Sequence, residues 1–306
     1  RPIEKSGQYK IIKDYGENFG LTKPSEDNVI CIVPHGNRHV WDMKERFAFL
    51  DNICKNVWCI MGSPLPRFVV YDRGGYSGGR ERVICSDNVP ENKLTEKLFS
   101  IMGISHPSPE ATHKFLIEEY VAKNNSKYLQ PKKREFKLNK PFVLFLGQKS
   151  GDSSIDFTNF PAPKDLIMGN TNPVSSDGEK AIIKERPCRY AGYINTMLTA
   201  LTIFDDFEIP ILYKPHIIED EDSNAVVNNY IINSLKNTSI VTDVSIHEIL
   251  PKAKTVVTIN SGAGFEALIH LKPVITLGKV DYSPATFNCK TIEDIKSCKS
   301  FIENPT

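Results

Sequence analysis

The clearest pattern of apolar and polar positions along the chain lies at 254–277, which reads KTVVTINSGAGFEALIHLKPVITL. Residues 255–259 are short, apolar and β-branched, a composition typical of a buried strand. Small and turn-forming residues follow, and apolar side chains then recur at helical spacing from Phe265 to Ile269. A Lys-Pro pair ends this helix, and a second apolar run occupies 274–277. The pattern predicts strand, turn, helix and strand, which is the βαβ unit of a parallel sheet.

In such a unit the helix begins at the carboxyl end of the strand, where free N–H groups and the helix dipole attract anions. The candidate anion-binding residues are Asn260, Ser261, Gly262 and Gly264, because glycine lets a phosphate approach the backbone closely. Glu266, in the first helical turn, is a candidate to accept hydrogen bonds from ribose hydroxyls. The simpler interpretation is a tight turn without a ligand, with Glu266 only complementing the helix dipole.

The rest of the second half also alternates strand-like and helix-like segments. The predicted strands start at Pro141 and lie at 210–213 and 239–241, and the predicted helices lie at 193–204, 224–234, 245–250 and 291–302.

The first half alternates less clearly. Its predicted strands lie at 28–34, 57–61, 68–71 and 83–85, and its predicted helices at 39–54, 92–102 and 109–123. The polar, basic segment 124–140 is interpreted as a linker or a domain crossing whose charged residues form a solvated face, and 156–178 as a long surface excursion.

We therefore predict the α/β class, with two Rossmann-like doubly wound domains facing a cleft. The N-terminal α/β domain spans 1–135, and the C-terminal domain spans 136–306. The last helix of the C-terminal domain is a candidate to pack back on the N-terminal domain. Ligands of such sheets bind at the carboxyl ends of the strands.

Composition excludes several classes of partner. Lys plus Arg number 38 and Asp plus Glu 37, so no net charge favours nucleic acid. No apolar run approaches the roughly 20 residues that span a bilayer, and the start of the chain has no apolar signal-peptide core. We expect a cytoplasmic protein without a transmembrane segment, with peripheral membrane contact left open. The chain begins with Arg1 rather than Met, which suggests that it has been trimmed.

The seven cysteines are scattered and form no C-x-x-C pair. Cys31, Cys59 and Cys85 lie in apolar runs, which is typical of buried thiols rather than metal ligands. A reducing compartment fits this pattern, and we expect no metal site.

Four polar loops follow predicted strands: one begins at Asp72, one covers 148–154, one is Lys214-Pro215-His216, and one covers 260–266. Lys214 supplies positive charge, and His216 supplies a donor or proton carrier. Each loop alone is more often a plain turn, but their coincidence at successive strand ends favours a site for a phosphorylated or nucleotide ligand.

At this point the second half resembles the bacterial capsule-synthesis family that includes the Kdo transferases. The resemblance covers about 141–282 and rests on VLFLGQKSGDSSI, ILYKPHIIED and SIHEILPKAKTVVTINSGAGFEALIHLKPVITLG. In the first half it covers only Ser-Lys-Tyr at 126–128 and the loop YDRGGYS. Those relatives look like GT-B glycosyltransferases, so the resemblance implies a nucleotide-sugar donor bound in the C-terminal domain and a glycan or glycolipid acceptor. The resemblance implies no cofactor, since the nucleotide sugar is a substrate.

The resemblance also implies roles for individual residues. The residues that would hold the donor's phosphate and ribose, or lie near the cleft, are Lys214, His216, Ser261, Gly262 and Glu266, together with Gln148, Asp152 and Ser153. Asp72 best matches the N-domain carboxylate that acts on the anomeric carbon, and its competitors are Asp42, Glu45 and Asp87. Ile217 replaces the family's proline after Lys-Pro-His, and Leu271 its glycine before Lys-Pro. A UDP-linked hexose or pentose therefore stands beside CMP-Kdo as the candidate donor.

Three other functions compete. A dinucleotide fingerprint is loosely met by Gly262-x-Gly264-x-x-Ala267, but no acid ends the next strand and only 28 residues follow Gly278, which argues against an NAD-dependent dehydrogenase. A non-catalytic glycan-binding or capsule-export accessory protein on the same fold is the main alternative. A metal-dependent GT-A enzyme would need an acid pair near a strand end, and the acidic run at 219–222 looks like a solvated face.

Overall fold

The structure is a computed structural model that describes part of the chain. The described residues are 30–34, 50, 56–62, 65–66, 69–72, 108–133, 135–138, 140–149, 187–219, 221–278, 280 and 282–304. The predicted helix at 92–102, the predicted strand at 83–85 and the excursion at 156–178 lie outside these residues, and of the predicted helix at 39–54 the structure describes only Leu50, which is helical.

The described strands of the first half form one three-stranded sheet in the order β1-β2-β3. These strands are β1 (Ile30–Pro34), β2 (Asn56–Gly62) and β3 (Val69–Asp72), close to their predicted positions. β1 and β2 are parallel, whereas β2 and β3 are antiparallel. This sheet is therefore mixed, because only six residues separate β2 from β3 and a parallel crossover needs a dozen or more.

The second half contains a six-stranded, wholly parallel sheet in the order β6-β5-β4-β7-β8-β9. Its strands are β4 (Val143–Leu146), β5 (Ile211–Lys214), β6 (Thr238–Ile240), β7 (Thr255–Thr258), β8 (Val274–Thr276) and β9 (Phe287–Asn288). The chain winds outward from β4 in one direction and from β7 in the other, so the strand order reverses between these two neighbours. The predicted mixed α/β class with a parallel sheet is confirmed, and β9 was not predicted.

Among the described residues, α1 (Pro109–Leu116) precedes this sheet, four α-helices lie between its strands along the chain, and a fifth follows β9. They are α2 (Pro187–Asp205), α3 (Glu221–Ser234), α4 (Ile246–Ile249), α5 (Gly262–Ile269) and α6 (Ile292–Glu303). α1 continues as a π-helical turn over Ile117–Val121.

Both faces of the parallel sheet are buried, and the strand period of two distributes the side chains between two cores. Val143 and Phe145 of β4 lie in the core with α2, α3 and α6, whereas Leu144 and Leu146 lie in the core with α4 and α5. The near-continuous apolar runs recognised in the sequence therefore correspond to strands covered on both sides.

The last helix, α6, packs against α2 and adds Ile295, Cys298 and Ile302 to the first core. It begins with a capping box in which Thr291 and Asp294 each accept from the other's backbone N–H. The Sγ atoms of Cys298 and Cys289 lie 3.4 Å apart as buried thiols, and Cys59 of β2 is a buried thiol as predicted.

Candidate functional site

A cleft opens at the carboxyl edge of the parallel sheet, where the loops after β4, β5 and β7 meet. Its cavity volume is about 80 Å³, and the segment 126–130 forms its opposite wall. The loops after β4 and β7 flank the point where the strand order reverses, which is where open α/β sheets bind ligands.

The loop after β4 supplies Gly147 and Gln148. A Cβ at Gly147 would lie 2.8 Å from the Tyr213 hydroxyl and 3.0 Å from the His216 backbone nitrogen. Only glycine therefore lets the loops after β4 and β5 approach this closely. The predicted site residue Gln148 follows and lines the cleft with 4% of its surface exposed.

Lys214, the last residue of β5, is 8% exposed and lines the cleft. Its Nζ donates hydrogen bonds to the carbonyl oxygens of Thr242 at 3.1 Å and Val244 at 2.8 Å. Burial lowers the pKa of Lys214 to about 8, and the nearby Asp243 carboxylate opposes this shift. The structure thus holds a partly desolvated ammonium group at the cleft, where a bound anion would favour the charged form.

His216 lines the cleft two residues further on. The edge of the Tyr128 ring meets the His216 ring with centroids 5.2 Å apart, so the histidine contacts the opposite wall of the cleft. Its Nδ1 accepts a long hydrogen bond of 3.4 Å from the Ile218 backbone N–H. Ile217, which replaces the family's proline, also lines the cleft.

The start of α5 forms the floor of the cleft through Asn260, Ser261, Gly262 and Ala263. Ser261 is the N-cap, and its Oγ accepts from the Ala263 backbone N–H at 3.3 Å. The predicted site residues Asn260, Ser261 and Gly262 are therefore brought together with Lys214 around one opening.

Gly264 does not line this cleft. A Cβ there would lie 2.2 Å from the Tyr282 hydroxyl, which donates a hydrogen bond to the Ser261 carbonyl. In the structure this glycine serves the packing of Tyr282 behind the helix start, so close approach of a phosphate is not what requires it.

Glu266 lines the cleft from α5 and is only 3% exposed. Its Oε1 accepts from the Ser126 hydroxyl at 2.6 Å, and the carboxylate also accepts from the Lys127 backbone N–H. Burial raises the pKa of Glu266 to about 7, although these two hydrogen bonds lower it. The carboxyl group thus binds the opposite wall of the cleft and changes its charge near neutral pH.

The opposite wall is the main feature that the sequence interpretation missed. Ser126, Lys127, Tyr128 and Gln130 line the cleft, although 124–140 was interpreted as a linker with a solvated face. This is a correction, because that segment packs on α4 and α5 of the parallel-sheet unit. The one signal that could have identified it was the Ser-Lys-Tyr match at 126–128.

Three further predicted site residues have side chains outside the part of the chain that the structure describes. They are Asp72, whose backbone ends β3, and Asp152 and Ser153. Within the described ranges, no group of three or more His, Cys, Asp or Glu side chains is arranged to hold a metal ion. None of the helices that the structure describes is long and apolar enough to cross a bilayer.

Comparisons with solved structures give distant similarities. Two are the β-Kdo 2,7 and β-Kdo 2,4 transferases of Thermosulfurimonas dismutans KpsC, at 16% and 14% identity and TM-scores of 0.45 and 0.44. They cover 86% and 88% of this chain and 73% and 78% of those chains. Another is the UDP-GlcNAc 2-epimerase of Methanocaldococcus jannaschii in complex with UDP-GlcNAc and UDP, at 16% identity and a TM-score of 0.36, covering 55% of this chain and 40% of that one.

No curated protein sequence matches the chain. A family model, described as capsule polysaccharide biosynthesis protein, matches residues 205–289. The matched segment holds Lys214, His216 and the whole of α5. Over this segment the chain is similar to the capsule polysaccharide biosynthesis family.

Proposed function

We propose that the protein is a GT-B type glycosyltransferase that moves a sugar from a nucleotide-activated donor to a glycan acceptor during surface polysaccharide synthesis. The observation that carries the proposal is the cleft at the strand-order reversal, which Lys214 and the start of α5 both line. Both lie in the segment that matches the capsule family.

The donor's phosphate would bind between Lys214 and the start of α5 at Ser261 and Gly262. Positive charge and backbone N–H groups at a helix start are the groups that bind phosphate in α/β folds. Glu266 is suited to a ribose hydroxyl, because with a pKa of about 7 its carboxyl can accept or donate a hydrogen bond near neutral pH.

Lys214 also supports a metal-independent reaction. A nucleotide leaving group carries negative charge on its phosphate, and an ammonium group with helix N–H groups can stabilise that charge as a metal ion would. The donor, CMP-Kdo or a UDP-linked sugar, is then a substrate, and no cofactor is required. If the reaction needs no metal, full activity will survive EDTA, whereas activity lost in EDTA and restored by manganese contradicts this part of the proposal.

We assign the chemical step to Asp72 at the end of β3. As a nucleophile, its carboxylate would attack the anomeric carbon while the nucleotide phosphate leaves; as a general base, it would take the proton of the acceptor hydroxyl. Residues 1–135 would bind the acceptor and 136–306 the donor, in the cytoplasm and with peripheral membrane contact at most. Asp72→Asn should abolish transfer while donor affinity is kept, and retained turnover would move the catalytic role elsewhere.

The proposal is tested first by ligand binding. A thermal-shift screen with CMP, UDP, GDP and their sugars should raise the unfolding midpoint for one base, because a ligand that binds the folded state stabilises it. Lys214→Ala and His216→Ala should then weaken that nucleotide about tenfold or more in calorimetry, since a charge-assisted hydrogen bond is lost. Lys236→Ala, which removes an exposed lysine, is the matched control. Unchanged affinity in both cleft variants, or no binding of any nucleotide, contradicts the proposal.

A further inference from the structure

The wall of the cleft at 126–130 is attached to the parallel-sheet unit through α4, outside the anion site itself. The N-cap residue Ser245 donates its hydroxyl to Asn124 Oδ1 at 2.5 Å, and the Ile246 backbone N–H donates to Gln130 Oε1 at 3.0 Å. Between these contacts, His247 Nε2 lies 2.7 Å from the carbonyl oxygen of Asn125. The first residues of α4 therefore hold both ends of the wall.

The His247 contact fixes the backbone at the residue that precedes Ser126. On the other side, Asn125 is bound to the end of the preceding helix: its backbone N–H donates to the Tyr120 carbonyl at 2.8 Å and its Nδ2 to the Glu119 carbonyl at 2.8 Å. Asn125 is thus held from two directions, and it sets where the chain turns away from the helix into the cleft.

The hydrogen-bond partners determine the state of the His247 ring. A carbonyl oxygen can only accept, so Nε2 of His247 carries the hydrogen and Nδ1 of the neutral ring is an acceptor. His270 Nε2 lies 3.1 Å from this Nδ1 and must therefore donate to it. The result is a directed chain from His270 through His247 to the Asn125 carbonyl, in which both rings are neutral.

We propose that His247, oriented by His270, is a positioning residue. It holds the wall at 126–130 in place for donor binding. This inference rests on the proposed function, because it concerns the same cleft. His247 is 3% exposed and does not line the cleft, so it acts through the backbone of Asn125 and not by touching the donor.

The surroundings of the pair disfavour protonation. Burial, followed by the Lys133 ammonium group, lowers the pKa of His247, although its bond to the Asn125 carbonyl opposes the shift. Burial, His247, Lys272, Lys133 and His113 together lower the pKa of His270 to about 4. Protonating His247 at Nδ1 would set its new N–H against the one that His270 donates, so acid should weaken the contact between the two rings while Nε2 of His247 still donates to Asn125.

The experiment compares three variants of the full chain. His247→Leu removes the donor to Asn125, His247→Gln keeps a side-chain N–H that cannot titrate, and His113→Leu is the matched control. His113 Nε2 makes a similar bond, 2.8 Å long, to the Ile269 carbonyl, but it lies away from the cleft wall. Two quantities are measured: hydrogen exchange of the backbone amides at 124–130, and the affinity for the nucleotide found in the screen.

In His247→Leu, exchange at 124–130 should rise about tenfold and nucleotide affinity fall about tenfold, because one buried hydrogen bond is lost. His247→Gln should restore both to within about twofold, and His113→Leu should change neither beyond its effect on overall stability.

The positioning role is overturned if the amides at 124–130 exchange as slowly in His247→Leu as in the wild type. It is also overturned if His247→Gln does not restore the slow exchange of the wild type. If His247→Leu does not fold, His270→Leu decides the matter, because it removes the donor that orients the His247 ring. Exchange at 124–130 should rise in that variant, and an unchanged exchange rate overturns the proposal. If the wild type binds no nucleotide, the glycosyltransferase proposal fails, while the exchange measurements still test the positioning of the wall.

Discussion

Raising the pH from 7 to 9 should weaken anion binding in the cleft through Lys214. The pKa of Lys214 in the free protein is about 8 because the side chain is buried at the end of β5. An anion bound beside it favours the ammonium form, so the apparent dissociation constant grows with the neutral fraction of this lysine.

The size of the effect follows from this pKa. If the anion binds only the charged form of Lys214, the dissociation constant is multiplied by the factor 1 + 10^(pH − pKa). With the pKa of about 8, this factor is about 1.1 at pH 7 and about 11 at pH 9. Affinity should therefore fall about tenfold over two pH units. An ordinary lysine, with a pKa near 10.4, would leave affinity almost unchanged over the same range.

The assay is calorimetry with CMP and UDP at constant ionic strength, in buffers that differ in ionisation enthalpy so that protons taken up are counted. The second pKa of a phosphate monoester is near 6, so the ligand's own charge is nearly constant from pH 7 to 9. Glu266 has a raised pKa of about 7 and loses its proton in an overlapping range, so the measurement is made in the Glu266→Gln background as well.

Lys214→Met is the decisive variant, because it keeps the length of the side chain and removes the charge. It should bind the nucleotide weakly at pH 7 and show no tenfold fall up to pH 9. Protein stability should respond with the opposite sign: the unfolded chain holds more protons than the folded one between pH 8 and 10.5, so the Lys214 contribution to stability rises with pH there. Affinity that stays flat in the wild type, or an equal slope in Lys214→Met, refutes the reasoning.

Two further predictions concern the framework of the site. Gly264→Ala should lower the free energy of unfolding by about 1–3 kcal/mol, because the new Cβ would lie 2.2 Å from the Tyr282 hydroxyl; Tyr282→Phe should lose only about 1 kcal/mol in the same urea titration. Equal effects of the two changes would contradict the packing role of this glycine. Asp205→Ala should lose about 3 kcal/mol, because its carboxylate accepts from the backbone N–H groups of 236 and 237 and from the hydroxyl of 238 at 2.8 Å each. The exposed neighbour Asp206→Ala should stay within about 0.5 kcal/mol, and a similar loss in both variants would rule out the specific role of Asp205.

Parts of the proposed function, and some of the residue roles, go beyond the geometry of the described residues. The cleft, its charge and its helix start are features of the described residues, and they agree with the capsule family matched at 205–289. The acceptor domain at 1–135 and the role of Asp72 stay predictions, which the turnover of Asp72→Asn will test.

Apart from β9, the strands of the parallel sheet and the described helices beside them could be predicted from the chain alone. Short apolar runs such as 255–259 become strands because a parallel sheet buries both faces, and their shortness and β-branched composition favour a strand over a buried helix. The place of Lys214, Ser261 and Gly262 at one edge followed as well, since the carboxyl ends of parallel strands meet there.

Contacts between segments that are distant in sequence could not be predicted in this way. The wall at 126–130 looked like a solvated linker because its residues are polar, yet Ser126 meets Glu266 across 140 positions of sequence. His247 and His270, 23 positions apart, become a directed pair only where α4 and α5 pack together. Periodicity records which face of an element is buried, whereas the partner of a polar side chain, and hence its pKa, depends on which elements the fold brings side by side.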